Sequence, residues 1–128
     1  MTYLLDTHTL IWMASLPDRL SPLAVSICQD RSNILLMSIV NVWEMQIKLQ
    51  LGKLHLALPL ETFVQQLQLN DIQLYPITLD HIYMLGSLPL HHRDPFDRLL
   101  IAQARFEGIP IITSDPAFDA YEIVRVWY

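Results

Sequence analysis

The stretch 94–115, DPFDRLLIAQARFEGIPIITSD, decides the fold. Asp94 stands where a helix N-cap is expected and Pro95 suits the first helical position. Leu99, Leu100, Ala102, Gln103 and Phe106 follow at helical spacing until Gly108 ends the helix. Ile109 to Thr113 then reads as a buried strand that runs out at Asp115, and Asp115 with Pro116 opens a turn or short helix. Helix and strand are thus joined by almost nothing, and an acid stands at each end of the unit.

The same alternation runs through the rest of the chain. Tyr3 to Leu5 reads as a strand delivering Asp6, and Leu10, Ile11, Met13 and Ala14 form an apolar helical face after it. Leu23 to Gln29 reads as a helix opened near Ser21 and Pro22, and Ile34 to Met37 as the second strand. Ser38 is the expected N-cap of a helix carrying Val40, Trp43, Ile47 and Leu51, closed by Gly52. Leu60 to Leu69 predicts a helix, Ile72 to Ile77 a third strand, Leu79 to Leu85 a short helix and Ile123 to Trp127 the last strand. Repeated βα order implies an α/β fold: a three-layer α/β/α sandwich with a mostly parallel central sheet, and 128 residues fit one domain, 1–128.

Composition narrows the function. Hydrophobic residues make up 52% and charged residues 16%, an apolar balance that points either to a well-filled core or to surface covered by a partner. A net charge of -5 does not advertise nucleic-acid binding, although acids gathered on metal ions have their field cancelled locally. Arg93, Arg98, Lys48 and Lys53 lie within a few residues of the site acids, the first three as candidate substrate contacts. The single Cys28 excludes an intramolecular disulfide and fits a reducing compartment. With no apolar run long enough to span a bilayer and no signal-peptide pattern at the start, a cytoplasmic location is expected.

Four carboxylates carry the chemistry: Asp6, Glu44, Asp97 and Asp115. Each has a plain structural explanation. Asp6 and Asp115 suit N-caps, Asp97 falls at N3 behind Asp94, and Glu44 can pair with Lys48 four residues on. Taken together they favour another reading, because strand ends in an open α/β sheet share one edge and Glu44 lies about 9 Å along its helix from Ser38. Oxygen ligands without cysteine, and without histidine at zinc spacing, favour Mg²⁺ or Mn²⁺. Without a cation the crowded acids would repel, and one or more would hold a proton.

The segments LLDTHTLIW, WEMQIKLQLGKL, DPFDRLLIAQA and TSDPAF, in this order and spacing, resemble PIN-domain ribonucleases of the VapC toxin type, from Met1 nearly to Tyr128. That resemblance implies a PIN-like parallel sheet between helices and a metal-dependent endoribonuclease, the toxin of a toxin–antitoxin pair. It implies principal metal-ligand roles for Asp6, Glu44 and Asp97, and a fourth acidic role for Asp115, direct or through water. Ser38 and Thr113 or Ser114 fall where the family places small hydroxyl residues, and Asp94 caps its helix, binds a second metal through water, or both. The same resemblance implies products with 5′-phosphate and 3′-hydroxyl ends. Met45 and Gln46 depart from the small apolar pair expected after Glu44. The partners implied are RNA, a VapB-like antitoxin laid along apolar helix faces, and a second copy of the chain. Leu10, Trp12, Met13, Leu23, Ile27, Phe63 and Leu67 are the candidate groove residues, each of which also suits a core.

Two other functions compete. His91 and His92, with His8, would serve as acid and base in a metal-free ribonuclease working through the RNA 2′-hydroxyl. A non-catalytic adaptor would keep the fold and use only its apolar faces, which the presence of all four acids argues against. A receiver domain fits less well, because Asp6 is followed by Thr7 where paired acids are needed.

Overall fold

A computed structural model describes residues 1–91 and 94–128; His92 and Arg93 lie outside the described residues. The strands are β1 (Thr2–Leu5), β2 (Ile34–Ser38), β3 (Ile72–Tyr75), β4 (Ile111–Ile112) and β5 (Arg125–Val126). They form one five-stranded sheet in the order β3-β2-β1-β4-β5. Every pair is parallel, with Leu4 opposite Leu36 and Leu5 opposite Ile112 across the central strand. The helices are α1 (Thr7–Ser15), α2 (Pro22–Gln29), α3 (Ile39–Gln50), α4 (Leu60–Leu69), α5 (Leu79–Leu85) and α6 (Pro95–Glu107).

Side chains alternate across the sheet, and both faces are covered. Tyr3, Leu5, Leu35, Met37 and Ile112 join Leu10, Ala24, Ile27, Phe63 and Leu67 of α1, α2 and α4 in one core. Leu4, Leu36 and Ile111 join Leu99 to Ala102 and Ala104 of α6 in the other, with Met84 and Leu85 of α5 packed against it. This is the three-layer arrangement that a parallel sheet requires, since its crossover helices must lie on its faces. Leu10, Ile27, Phe63 and Leu67, offered above for a partner groove, are core residues in this fold, none more than 9% exposed. Trp12 and Met13 are half-buried and Leu23 is exposed.

Helix ends follow the sequence closely. Ser38 accepts from the Val40 N–H, and Gly52, at φ 70°, lets the chain turn back so that Lys53 N–H donates to Lys48 O at 2.9 Å. Gly108 does the same for α6 at φ 68°. Three strands are shorter than the apolar runs suggest. β3 stops before Pro76. β4 loses Ile109 to the α6 terminus, where its N–H donates to Ala104 O, and Pro110 has no N–H to offer. β5 is regular only over Arg125 and Val126.

Cys28 packs against the first core, and burial pushes its thiol up to about 11, which suits filler rather than a nucleophile. Ile39 and Trp43 of α3, and Leu79, Ile82 and Tyr83 of α5, are large apolar side chains left exposed. Among the described residues no helix is long and apolar enough to cross a membrane.

Candidate active site at the carboxyl edge of the sheet

The chain leaves β1 at Asp6, β2 at Ser38 and β4 at Thr113, all on one edge of a sheet whose strands run the same way. Asp6 is the N-cap of α1 and is buried. Its Oδ1 accepts from the Thr7 N–H at 2.8 Å, and its Oδ2 from Thr113 Oγ1 at 2.7 Å. Of the two candidate hydroxyls after β4, Thr113 is therefore the one that holds Asp6; Ser114 is half-buried next to it. Thr113 is itself held, since its Oγ1 accepts from the Asp115 N–H at 3.1 Å and its carbonyl accepts from Arg125 at 3.3 Å.

Glu44 projects from the second turn of α3 and is 3% exposed. One oxygen accepts from Thr7 Oγ1 at 2.7 Å, and the other meets Lys48 Nζ at 2.6 Å. The pairing with Lys48 is therefore real, but it is not the exposed surface bridge that the i,i+4 spacing suggests. Burial works against the Lys48 charge, yet the hydrogen bond to Glu44 and the fields of Glu44, Asp94 and Asp97 outweigh it and hold the ammonium above the ordinary lysine range.

Asp94 caps α6 by accepting from the Phe96 and Asp97 N–H groups at 2.8 and 3.1 Å, which leaves Asp97 one turn inside the helix. Carboxylate oxygens of Glu44, Asp94 and Asp97 lie within 4.8 Å of one another. Asp94 thus stands inside the cluster, where sequence reasoning gave it only a supporting place. Burial, followed by the charges of Asp6, Asp94, Glu44 and Asp115, pushes Asp97 up to about 8. Burial also raises Asp6, against the opposing pull of its Thr113 and Thr7 hydrogen bonds. Asp115 is half-buried at the rim, and its side chain caps the short 3-10 turn Pro116–Ala120 through the Ala117 N–H at 2.9 Å. An all-oxygen donor set that keeps a proton for want of countercharge fits a hard divalent cation.

The other candidates are less closely gathered. Arg98 donates to Pro89 O at 2.9 Å and to Tyr121 Oη at 3.2 Å, tying the loop before α6 to the chain after β4. Arg93 and His92 lie outside the described residues. His8 is exposed against the Trp12 ring and His91 is exposed against the Tyr121 ring, so the two histidines sit in separate contacts. Sequence reasoning passed over Thr7 and Asn41, both buried among the acids. Asn41 was readable, since it stands three residues after an N-cap serine at the reciprocal capping-box position.

Comparison with known proteins supplies a family. The model of the PIN domain matches residues 3–124. No curated protein sequence matches the chain significantly. Among solved structures, VapBC2 from Rickettsia felis, bound to a promoter DNA fragment, superposes with a TM-score of 0.72 at 14% identity over 100% of both chains. VapC20 from Mycobacterium tuberculosis, a toxin cleaving the sarcin-ricin loop, gives a TM-score of 0.68 at 16% identity over 98% of this chain and 99% of that one. VapBC-1 from nontypeable Haemophilus influenzae gives 0.66 at 18% identity over 98% and 97%. At these identities the structures share the fold with this chain.

Proposed function

This chain belongs to the PIN domain family, and from that premise we propose that it is a Mg²⁺- or Mn²⁺-dependent endoribonuclease, the toxin of a VapC-type toxin–antitoxin pair. The observation that carries the reading is the crowding of Glu44, Asp94 and Asp97 within 4.8 Å, beside Asp6, with Asp97 pushed up to about 8. Like charges at that spacing oppose folding, and the arrangement makes chemical sense when a cation is shared among them.

Asp6, Glu44 and Asp97 would hold the ion, with Asp94 beside them and Asp115 at the rim. A divalent cation bound there supplies Lewis acidity, lowering the pKa of a coordinated water and offsetting charge that builds on the phosphoryl oxygens. The protein contributes position. Thr7 and Thr113 hold Asp6 from both oxygens, α6 sets Asp94 and Asp97 one turn apart, and Lys48 pairs with the second Glu44 oxygen within the fields of Asp94 and Asp97. Arg98 steadies the rim loop over which RNA would pass, with Lys48 and Arg93 as further phosphate contacts. No side-chain nucleophile is needed: water attacks phosphorus, and the family resemblance implies that the P–O3′ bond breaks, so that the products carry 5′-phosphate and 3′-hydroxyl ends.

Partners follow from the same premise. VapBC-5 from Mycobacterium tuberculosis is named as a member of the VapBC family of toxin–antitoxin systems, and a VapB-like antitoxin is proposed to cover Leu23 and the half-buried Trp12 and Met13. The exposed Ile39, Trp43, Leu79, Ile82 and Tyr83 suit a homodimer contact. A cytoplasmic site of action agrees with the lone free Cys28.

Cleavage of a structured RNA in the presence and absence of EDTA tests the reading. It predicts complete loss with chelator, recovery with Mg²⁺ or Mn²⁺, and 3′-hydroxyl ends that a poly(A) polymerase extends. Chelator-resistant cleavage ending in 2′,3′-cyclic phosphate would return the chemistry to the histidines.

A further inference from the structure

Glu44 is reached by a series of hydrogen bonds whose direction is set at the far end. The Ser38 backbone N–H can only donate, and it meets the Asn41 side chain at 2.7 Å, so the atom facing it is Oδ1. The Asn41 amide nitrogen is then turned to Thr7 Oγ1, 3.0 Å away, and it too can only donate. Thr7 Oγ1 accepts there, so its single proton goes to Glu44 Oε1 at 2.7 Å. The Thr7 backbone N–H meanwhile donates to Asp6 Oδ1 at 2.8 Å. Ser38, Asn41, Thr7 and Glu44 are at most 3% exposed, so water has little access to scramble the order.

Helix capping explains only part of this. The reciprocal cap at Ser38 uses Asn41 Oδ1, and a glutamate or glutamine would cap as well. What the cap leaves unexplained is the amide nitrogen aimed across to another helix, at the hydroxyl of Thr7, a residue that bonds Glu44 through that hydroxyl and Asp6 through its backbone N–H. Glu44 Oε2 is on the Lys48 side, outside the reach of this series.

We propose that Asn41 and Thr7 are positioning residues, a one-way relay that fixes the rotation of the Glu44 carboxylate relative to Asp6 so that both present an oxygen to a divalent cation. The inference rests on the metal-dependent reading above. Residues that orient metal-binding side chains commonly contribute tenfold or more to affinity, because a ligand free to rotate must be ordered on binding.

Mn²⁺ titration calorimetry tests the relay without recourse to turnover. Thr7→Val keeps the shape and removes the proton, while Thr7→Ser keeps the proton; the relay predicts Mn²⁺ affinity lower by about 10- to 100-fold in the first and within about threefold of the parent in the second. Thermal unfolding in EDTA establishes that each variant is folded at the titration temperature. Should Thr7→Val not fold, Asn41→Ala, which leaves the Thr7 hydroxyl present but undirected, carries the same expected loss. Parent-like Mn²⁺ affinity in the folded variant would overturn the relay alone. Absence of Mn²⁺ uptake by the parent would overturn the metal reading and the relay with it.

Discussion

Two partly buried polar clusters in this fold solve opposite problems. Between α5 and α6, His81 is 1% exposed, its Nδ1 accepts from the Thr78 N–H at 3.0 Å, and its Nε2 pairs with the Tyr75 hydroxyl at 3.0 Å. Tyr75 in turn donates to Glu107, and Gln103 bridges from Pro76 O to Ser38 Oγ. A single carboxylate there meets a neutral phenol. At the carboxyl edge, Asp6, Glu44, Asp94 and Asp97 crowd together with Lys48 as the cation paired to Glu44. The first cluster completes itself and stabilises the fold. The second gathers more negative charge than Lys48 balances, which is why it is proposed as a site.

Neutralising an acid gives the largest separation between the two. Asp97→Asn or Glu44→Gln is expected to lower RNA cleavage by roughly 100-fold or more, beyond the loss typical of residues that only support a metal ligand. Asp97→Asn should at the same time unfold no earlier than the parent at pH 8 in EDTA, because it removes repulsion. A variant that is inactive and also markedly less stable would confine Asp97 to a structural role in the first turn of α6.

The pH dependence of the metal-free protein follows with a definite sign. The Asp97 carboxyl has a folded value of about 8 against 3.8 for the free side chain, so between those values the native state holds a proton that the unfolded chain has released. Stability is fully present below the lower value and is lost as pH rises toward 8; the raised Asp6 acts in the same direction. Thermal melts in EDTA should therefore fall from pH 5 to pH 8, and Mn²⁺ should restore the loss. Because His81 acts in the opposite direction, the contribution of Asp97 is read as the difference between the parent and Asp97→Asn; a flat difference in EDTA would mean that burial and the neighbouring acids do not raise Asp97.

His81 sharpens the contrast from the other side. Burial holds its imidazole below the usual histidine range, partly offset by Glu107 and Asp80, so stability is present above about 6.5 and is lost as pH falls. His81→Leu should cost about 1–3 kcal/mol through the unpaired Thr78 N–H and the lost second partner of the Tyr75 hydroxyl, which keeps Glu107, while cleavage per folded molecule stays within a few-fold of the parent. Urea denaturation at pH 7 reads the cost. A loss of cleavage far beyond the loss of folded protein would mean that this cluster serves the site.

The sheet and helices were legible because their signals are local: Asp94 and Pro95 start α6, Gly108 ends it, and Ser38 caps α3. The strand ends were not, because Pro76 and Pro110 interrupt apolar runs that continue on either side of them. Asp6, Glu44 and Asp97 were legible as candidates from βα order and motif spacing, and the fold gathers Glu44 and Asp97 with Asp94. Their differing states were not, since the rise of Asp97 depends first on its burial and then on distances to Asp6, Asp94, Glu44 and Asp115, none of which spacing encodes. Thr7 and Gln103 were hidden for a similar reason. A threonine after an acid and a glutamine inside a helix carry no distinctive pattern, and their importance lies in partners 37 and 65 residues away.

Lys48 gives the smallest effect and the finest division between the clusters. Its ammonium is 2.6 Å from Glu44 Oε2, and its side chain is 31% exposed, so part of the attraction is spent in water. If the pair were only a helix-surface bridge, Lys48→Met would lower stability by a few tenths of a kcal/mol whatever the metal content. If Lys48 balances the acid cluster, the cost in EDTA rises to about 1 kcal/mol and shrinks once a divalent ion supplies the missing charge. Paired melts of the parent and Lys48→Met, in EDTA and in Mn²⁺, measure that difference directly. An equal gap under both conditions would confine Lys48 to its helix; a gap that closes with Mn²⁺ ties it to the same unmet charge that distinguishes this edge from the His81 seam.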